Sequence, residues 1–330
     1  MNKSNTIRQV AFLLSLITAF NLPAQYVNRE FQEASGTPSF VSTFTTYGGY
    51  YGRIISSTLG GKIIIGHVNS SGQGENAYIK RISEDGQILF TKEFNTVGTS
   101  NNEYATDVIE NPNNGDIYLS IVTDNGGLTN YDAVLMRYDA NGAPLDSAVY
   151  SGSSGLNDVP TAIKLNPISG NIIVAISNEN TGKSYDYLAA EYSTSLAYIQ
   201  ESPAYDFAGS NLPDVPIGIE FDAGGNIILL GASASGTNDW DYTCVMYDVS
   251  TLSFIVDDRV NMPGFGFDQP AAFCKDPITG DIFITGRSSS NGINYDIRTV
   301  RIAANLSGII WNVTHDENGL EDAATSMVLD

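Results

Sequence analysis

Short apolar runs alternate along this chain with polar, glycine-bearing turns, and the alternation returns about every 55 residues. A glycine followed by an apolar run recurs at Gly61, Gly115, Gly170, Gly225 and Gly280, at spacings of 54, 55, 55 and 55. A period of that size marks stacked supersecondary units. The runs are Lys62-Ile63-Ile64-Ile65, Asp116-Ile117-Tyr118-Leu119, Asn171-Ile172-Ile173-Val174, Asn226-Ile227-Ile228-Leu229 and Asp281-Ile282-Phe283-Ile284. They are rich in β-branched and aromatic residues and nearly continuous in apolar character, as in a strand covered on both faces and entered from a tight turn.

Three further runs complete each copy. A second run holds Ala133-Val134-Leu135-Met136, Tyr187-Leu188-Ala189-Ala190, Tyr242-Thr243-Cys244-Val245 and Ile297-Arg298-Thr299-Val300, and three copies close on Tyr138, Tyr192 and Tyr247. Turns such as Ser83-Glu84-Asp85-Gly86 and Asp139-Ala140-Asn141-Gly142 follow. The third run is more polar, as in Ile88 to Phe94 and Ile309 to Val313, and suits an outer strand. The fourth run precedes each glycine: Thr106 to Ile109, Thr161 to Leu165, Ile217 to Phe221, Ala271 to Cys274 and Ala324 to Leu329. No segment after residue 24 sustains a 3.6-residue period. The pattern predicts an all-β chain of four-stranded antiparallel units. A unit of roughly 40–50 residues is the size of a propeller blade, and blades that pack face to face need inner strands without a polar side. The expected fold is a β-propeller with about five complete blades here.

Residues 1–24 stand apart. Lys3 and Arg8 precede a mostly apolar stretch from Val10 to Phe20, and Leu22-Pro23-Ala24 leads into Gln25. This is the plan of a secretory signal, short for a membrane span. The expected organisation is a signal peptide at 1–24, a linker at 25–39 and propeller repeats over 40–330, with no membrane span in the mature chain. Phe40 to Tyr47 reads as the last strand of a repeat whose first three strands are absent. Glu321 to Asp330 restarts a repeat and stops before its glycine turn, so the sequence is expected to be a fragment of a longer reading frame whose full ring has six or more blades.

Without Lys3 and Arg8, 14 basic residues face 37 acidic ones, a formal charge of −23. Nucleic acid needs a positive footprint and is a poor partner. Anionic membrane surfaces are disfavoured for the same reason.

The copies resemble a known repeat family. Tyr295-Asp296, the Ala303-Ala304-Asn305-Leu306-Ser307-Gly308 turn, Trp311 and Asp322-Ala323-Ala324 are similar to the bacterial seven-bladed β-propeller (SBBP-type) repeat, over nearly all of residues 40–330. The first copy lacks the Tyr-Asp pair, Trp311 is the only tryptophan at its repeat position, and Ile302 replaces the usual tyrosine. The resemblance implies an exported or cell-surface propeller, of a kind commonly found in larger proteins with adhesion modules or a C-terminal sorting domain.

Two recurring sets of residues are candidates for chemistry. The first is an aromatic-Asp pair: Tyr131-Asp132, Tyr185-Asp186, Trp240-Asp241 and Tyr295-Asp296. Platforms and carboxylates of this type suit sugars, yet recurrence in each blade favours architecture, with the ring between blades and the Asp holding a turn. The second is Glu103, Asp158, Asp214, Asp268 and Asp322. As an acidic ring they could hold a cation, but a hard cation wants several oxygens at one point, and one carboxylate per blade rarely provides them. Turn capping is the favoured reading. No metal site and no cofactor is expected.

Signals for catalysis are thin. His67 and His315 fall in different repeats, no Gly-x-Ser-x-Gly elbow is present, and two histidines with two unpaired-looking cysteines do not make an ordinary zinc site. No catalytic residue is assigned. Cys244 and Cys274 are expected on strands of adjacent blades, as small core residues rather than a disulfide, which would demand Cα atoms within about 7 Å. The leading reading is a secreted or cell-surface non-enzymatic module for adhesion or scaffolding, with a protein or glycan ligand. The alternative is a carbohydrate-active propeller enzyme using channel-facing carboxylates.

Overall fold

The computed structural model describes residues 53–329 except 71–73, 96–100, 125–130, 153–154, 183, 237–238, 262–265, 290–293 and 318. The expected signal peptide, the linker and the Phe40–Tyr47 strand lie outside the described residues.

Among the described residues, twenty strands form five four-stranded antiparallel sheets, each built from four consecutive strands in chain order. Blade 1 holds β1 (Arg53–Ser56), β2 (Lys62–Ser70), β3 (Gly74–Ile82) and β4 (Ile88–Phe94). Blade 2 holds β5 (Glu103–Glu110), β6 (Ile117–Asp124), β7 (Tyr131–Tyr138) and β8 (Pro144–Tyr150). Blade 3 holds β9 (Asp158–Leu165), β10 (Ile172–Glu179), β11 (Tyr185–Tyr192) and β12 (Tyr198–Glu201). Blade 4 holds β13 (Asp214–Phe221), β14 (Ile227–Gly236), β15 (Asp239–Tyr247) and β16 (Phe254–Val260). Blade 5 holds β17 (Gln269–Lys275), β18 (Ile282–Ser288), β19 (Asp296–Ile302) and β20 (Ile309–His315). A short 3-10 turn at Phe207–Gly209 is the only helical element among the described residues. This is the β-propeller architecture that the period predicts.

The core lies between blades rather than within them. One apolar cluster joins blades 1 and 2 through Ile63, Ile79, Ile117 and Leu119. Others join blades 2 and 3 through Tyr118, Leu135, Ile172 and Ile176, blades 3 and 4 through Ile173, Tyr187, Leu229 and Tyr247, and blades 4 and 5 through Ile228, Tyr242, Ile284 and Val300. Second strands are therefore buried on both faces: β6 and β10 are buried over their first seven residues. Fourth strands face water, most fully β20. First strands lie innermost, β5 against β9 and β9 against β13.

Two local features repeat. The first strands of blades 2 to 5 each carry a register shift that leaves Thr106, Thr161, Ile217 or Ala271 without a cross-strand partner. Such bulges bend and twist a strand. The hairpin between third and fourth strands also repeats. Leu196, Leu252 and Leu306 turn it with φ of 57°, 50° and 55°, where blades 1 and 2 use Gly86 and Gly142. A leucine there is strained, but all three leucines are buried in the inter-blade clusters. At Gly142 that space is already filled, since an added Cβ would lie 2.7 Å from the Phe90 ring of blade 1.

One expected strand is not formed. Residues 321–329 are mostly exposed and pair with no sheet, so Ala324–Leu329 is not a strand. A strand is made by pairing, and among the described residues no strand lies beside this segment.

Candidate functional site at the blade junctions

In an antiparallel blade the first and third strands begin at the same end. Both candidate sets sit there, so the structure gathers on one rim what the sequence separates by about 27 residues. Glu103, Asp158 and Asp214 are the first residues of β5, β9 and β13, and Asp268 immediately precedes β17. All four are 0–1% exposed, while Asp322 is half-buried. Tyr131 and Tyr185 open β7 and β11, Trp240-Asp241 lies within the start of β15, and Tyr295 precedes Asp296 at the start of β19.

Tyr131 clusters with Val159 and Tyr185 with Val215, each across a junction, Trp240 packs on Phe267 just before blade 5, and Tyr295 packs on the other side of Phe267. The Asp of each aromatic-Asp pair faces the acid at the start of the next blade, Asp132 facing Asp158, Asp186 facing Asp214 and Asp241 facing Asp268, and Asp296 faces Asp322 after blade 5. In blade 1 the place opposite β2 that Asp132 occupies opposite β6 is taken by Asn76, which is buried.

The opening acids also tether the chain as it crosses between blades. Gly152 donates its N–H to Asp158 Oδ2, Phe207 donates to Asp214 Oδ2 at 2.8 Å, and Glu317 donates to Asp322 Oδ2 at 2.7 Å. The carbonyls of Trp240 and Tyr295 accept from the N–H groups of Asp268 and Asp322, at 2.8 and 2.6 Å. Asp158, Asp214 and Asp322 thus each accept an N–H from the connection that precedes them.

Burying two carboxylates side by side shifts both toward the protonated form. Burial, reinforced by Asp132, raises Asp158 to about 6 against the donors Gly152 and Asn178. Burial, reinforced by Asp186 and Asp206, raises Asp214 to about 7 against the Phe207 N–H. At the next junction burial raises both Asp241 and Asp268, although Arg259 pairs with Asp241 and Arg298 lies near Asp268.

Sequence reasoning did not find several partners of these acids. Asp206 and Asp316 join the third and fifth junctions from loops of unequal length, eight and six residues before the opening acid, so no fixed period marks them. Asn157 caps Tyr131 N–H at 3.0 Å and Asn178 donates to Asp158 at 2.5 Å. His67 on β2 and His315 on β20 remain in separate blades. Cys244 is a buried free thiol and Cys274 a half-buried one.

No protein-family model matches the chain, and no curated protein matches it. Among solved structures it is similar to the Dos1 propeller, with 12% identity and a TM-score of 0.48, over 92% of this chain and 82% of that one. It is also similar to an ACO/RPE65 chimera, with 12% identity and a TM-score of 0.48, over 83% of this chain and 64% of that one. A mutant of Synechocystis apocarotenoid oxygenase gives 13% identity and a TM-score of 0.47, over 84% of this chain and 65% of that one. The chain thus spans just under two thirds of the chimera and of the oxygenase. Likenesses at this level carry nothing about a site.

Proposed function

We propose that this chain is an exported or cell-surface propeller of the bacterial seven-bladed repeat type, serving as a binding or scaffold module without chemistry of its own. The observation that supports this reading most is the burial of the repeated acids: Glu103, Asp158, Asp214 and Asp268 are 0–1% exposed and committed to the blade junctions. A carboxylate that turns over a substrate must touch it. Asp158 and Asp214 accept from the backbone of the inter-blade loops, and Asp158, Asp214 and Asp268 lie beside Asp132, Asp186 and Asp241. The ligand, a protein or a glycan, would meet the loops of the rims.

One observation favours the enzymatic alternative. Asp241 and Asp268 are adjacent carboxylates with raised proton affinity, a pair able to share a proton, though closer together than the carboxyl groups about 5 Å or more apart that flank a glycosidic bond. A glycan array and a panel of glycosidase substrates, run on the full chain, separate the two. The module reading expects binding without turnover, and unchanged binding in Asp268→Asn. Turnover that Asp268→Asn or Asp241→Asn abolishes, with the fold intact, overturns it. Export is tested by fractionation and N-terminal sequencing, with a mature start at Gln25 as the expected result and a retained Met1 as the contrary one.

A further inference from the structure

We propose that the outer face of blade 5 docks blade 1 of a second copy of this chain, by the contact that already joins its own blades. The inference goes beyond the proposed function and needs no ligand. At every junction the second residue of one blade's second strand packs on the first and third residues of the next blade's second strand. Tyr118 clusters with Ile172 and Val174 in this way, and Ile228 with Ile282 and Ile284, all at 0% exposure. The corresponding residues at the two ends of the row are left open. Phe283, second in β18, is half-buried, and so is Ile64, third in β2.

Blade 5 presents a continuous aromatic and apolar surface there. Phe283, Arg301 and Trp311 lie opposite one another across β18, β19 and β20, so they share a face. The Trp311 ring meets the Phe283 ring edge-on at 5.7 Å, and the Arg301 guanidinium lies 5.4 Å from the Phe283 ring. Trp311 is 37% exposed and Val313, on the same face, is 57% exposed. The outer strands of blades 1 to 4 each carry a charged residue, whereas β20 has no Asp, Glu, Lys or Arg. Charge on an outer strand guards it against other chains, and β20 lacks that guard.

A recurring hydrogen bond identifies the occupant. Arg81 Nη1 donates to the Ala140 carbonyl at 2.8 Å, Tyr118 Oη to that of Thr194 at 2.8 Å and Gln200 Nε2 to that of Ser250 at 3.0 Å. In each case a side chain of one blade holds the turn between third and fourth strands of the next. Arg301 stands opposite Phe283 as Arg81 stands opposite Ile63. Asp281 holds its Nε and Nη2 at 2.9 and 2.6 Å. Its Nη1, the atom with which Arg81 reaches Ala140, has no partner among the described residues. Blade 1 is the blade whose matching face is open, with Ile54, Ile64 and Tyr78 half-buried. Its turn Ser83–Gly86 places Glu84 where blade 2 has Ala140, since Ser83 and Asp139 close the two turns alike. Glu84 is exposed and would bring a carbonyl and a carboxylate to Arg301. The other cations near the contact are engaged within their own blades: Lys62 on Ser56, Lys80 over the Tyr78 ring and Arg287 over the Tyr295 ring.

The test is sedimentation velocity of the full chain from about 1 to 100 μM, paired with tryptophan emission. Trp240 is 3% exposed, so of the two tryptophans it is Trp311 whose emission can respond. Association that grows with concentration is expected, as a head-to-tail contact that closes into a ring or continues, together with a blue shift. Glu84→Arg and Trp311→Ala, both at exposed positions, should each weaken association about tenfold or more. Glu84→Arg mixed with Arg301→Glu should associate about as well as the parent. The first two variants carry the test if Arg301→Glu does not fold. A monomer throughout would overturn the proposal and leave the cover to further blades of one longer chain. Association that neither Glu84→Arg nor Trp311→Ala weakens would place the contact elsewhere and overturn it too.

Discussion

Phe207 donates its backbone N–H to Asp214 Oδ2 at 2.8 Å, closing the loop that carries the chain from blade 3 into blade 4. The bond sits seven positions apart in sequence and next to Asp186 of the preceding blade. A buried acid that opens a strand thus does two things at once: it anchors a connection and it faces a like charge. The consequences below follow from that pairing and from a core placed between sheets.

Stability should fall as pH rises from about 5 to about 8. Asp158 and Asp214 are raised to about 6 and about 7 by burial, above their unfolded values near 4. The folded chain therefore holds more protons than the unfolded chain between those limits, and stability present below pH 4 is lost as pH passes the folded values. Turn carboxylates such as Asp248 and Asp276, lowered by backbone N–H donors, act in the opposite sense below pH 4. Urea denaturation across pH should give a maximum between about pH 4 and 6. A steady rise from pH 5 to 8 would contradict this.

Truncation between blades should cost far more than truncation on the outer edge. Ile176 is fully buried between blades 2 and 3, whereas Ile310 on β20 is half exposed. Ile176→Ala should lose about 2–5 kcal/mol and Ile310→Ala within about 0.5–1 kcal/mol. Equal losses in urea melts would place the core elsewhere.

Leu252 should be worth more than the strain it carries. Its φ of 50° costs about 1–2 kcal/mol relative to glycine, while its fully buried side chain contributes about 2–5 kcal/mol. Leu252→Gly should therefore destabilise by roughly 1–3 kcal/mol, and a stabilised variant would show that the hairpin, not the leucine's packing, dominates there.

Second strands, covered on both faces, are the most legible in the sequence: the post-glycine runs fall in β2, β6, β10, β14 and β18, and the outer run Ile88 to Phe94 coincides with β4. First strands were read too short. Their apolar runs begin at Thr106, Thr161, Ile217 and Ala271, the residues left out of register at each bulge, whereas pairing extends two or three residues earlier to include or adjoin the acid. A bulge shifts the side-chain alternation, so pattern alone stops there. The two acidic sets were each visible, but their pairing was not, because it runs from the third strand of one blade to the first strand of the next. Asp206 and Asp316 escaped notice because their loops differ in length.

The measurement that bears most directly on the junction is a double-mutant cycle of Asp186→Asn and Asp214→Asn, followed by urea denaturation at about pH 8. Facing like charges predict that either change alone stabilises and that the double variant gains less than the two single gains together, with a coupling on the order of 1 kcal/mol. Additive effects, or single variants that both destabilise without coupling, would contradict a carboxylate pair across the blades.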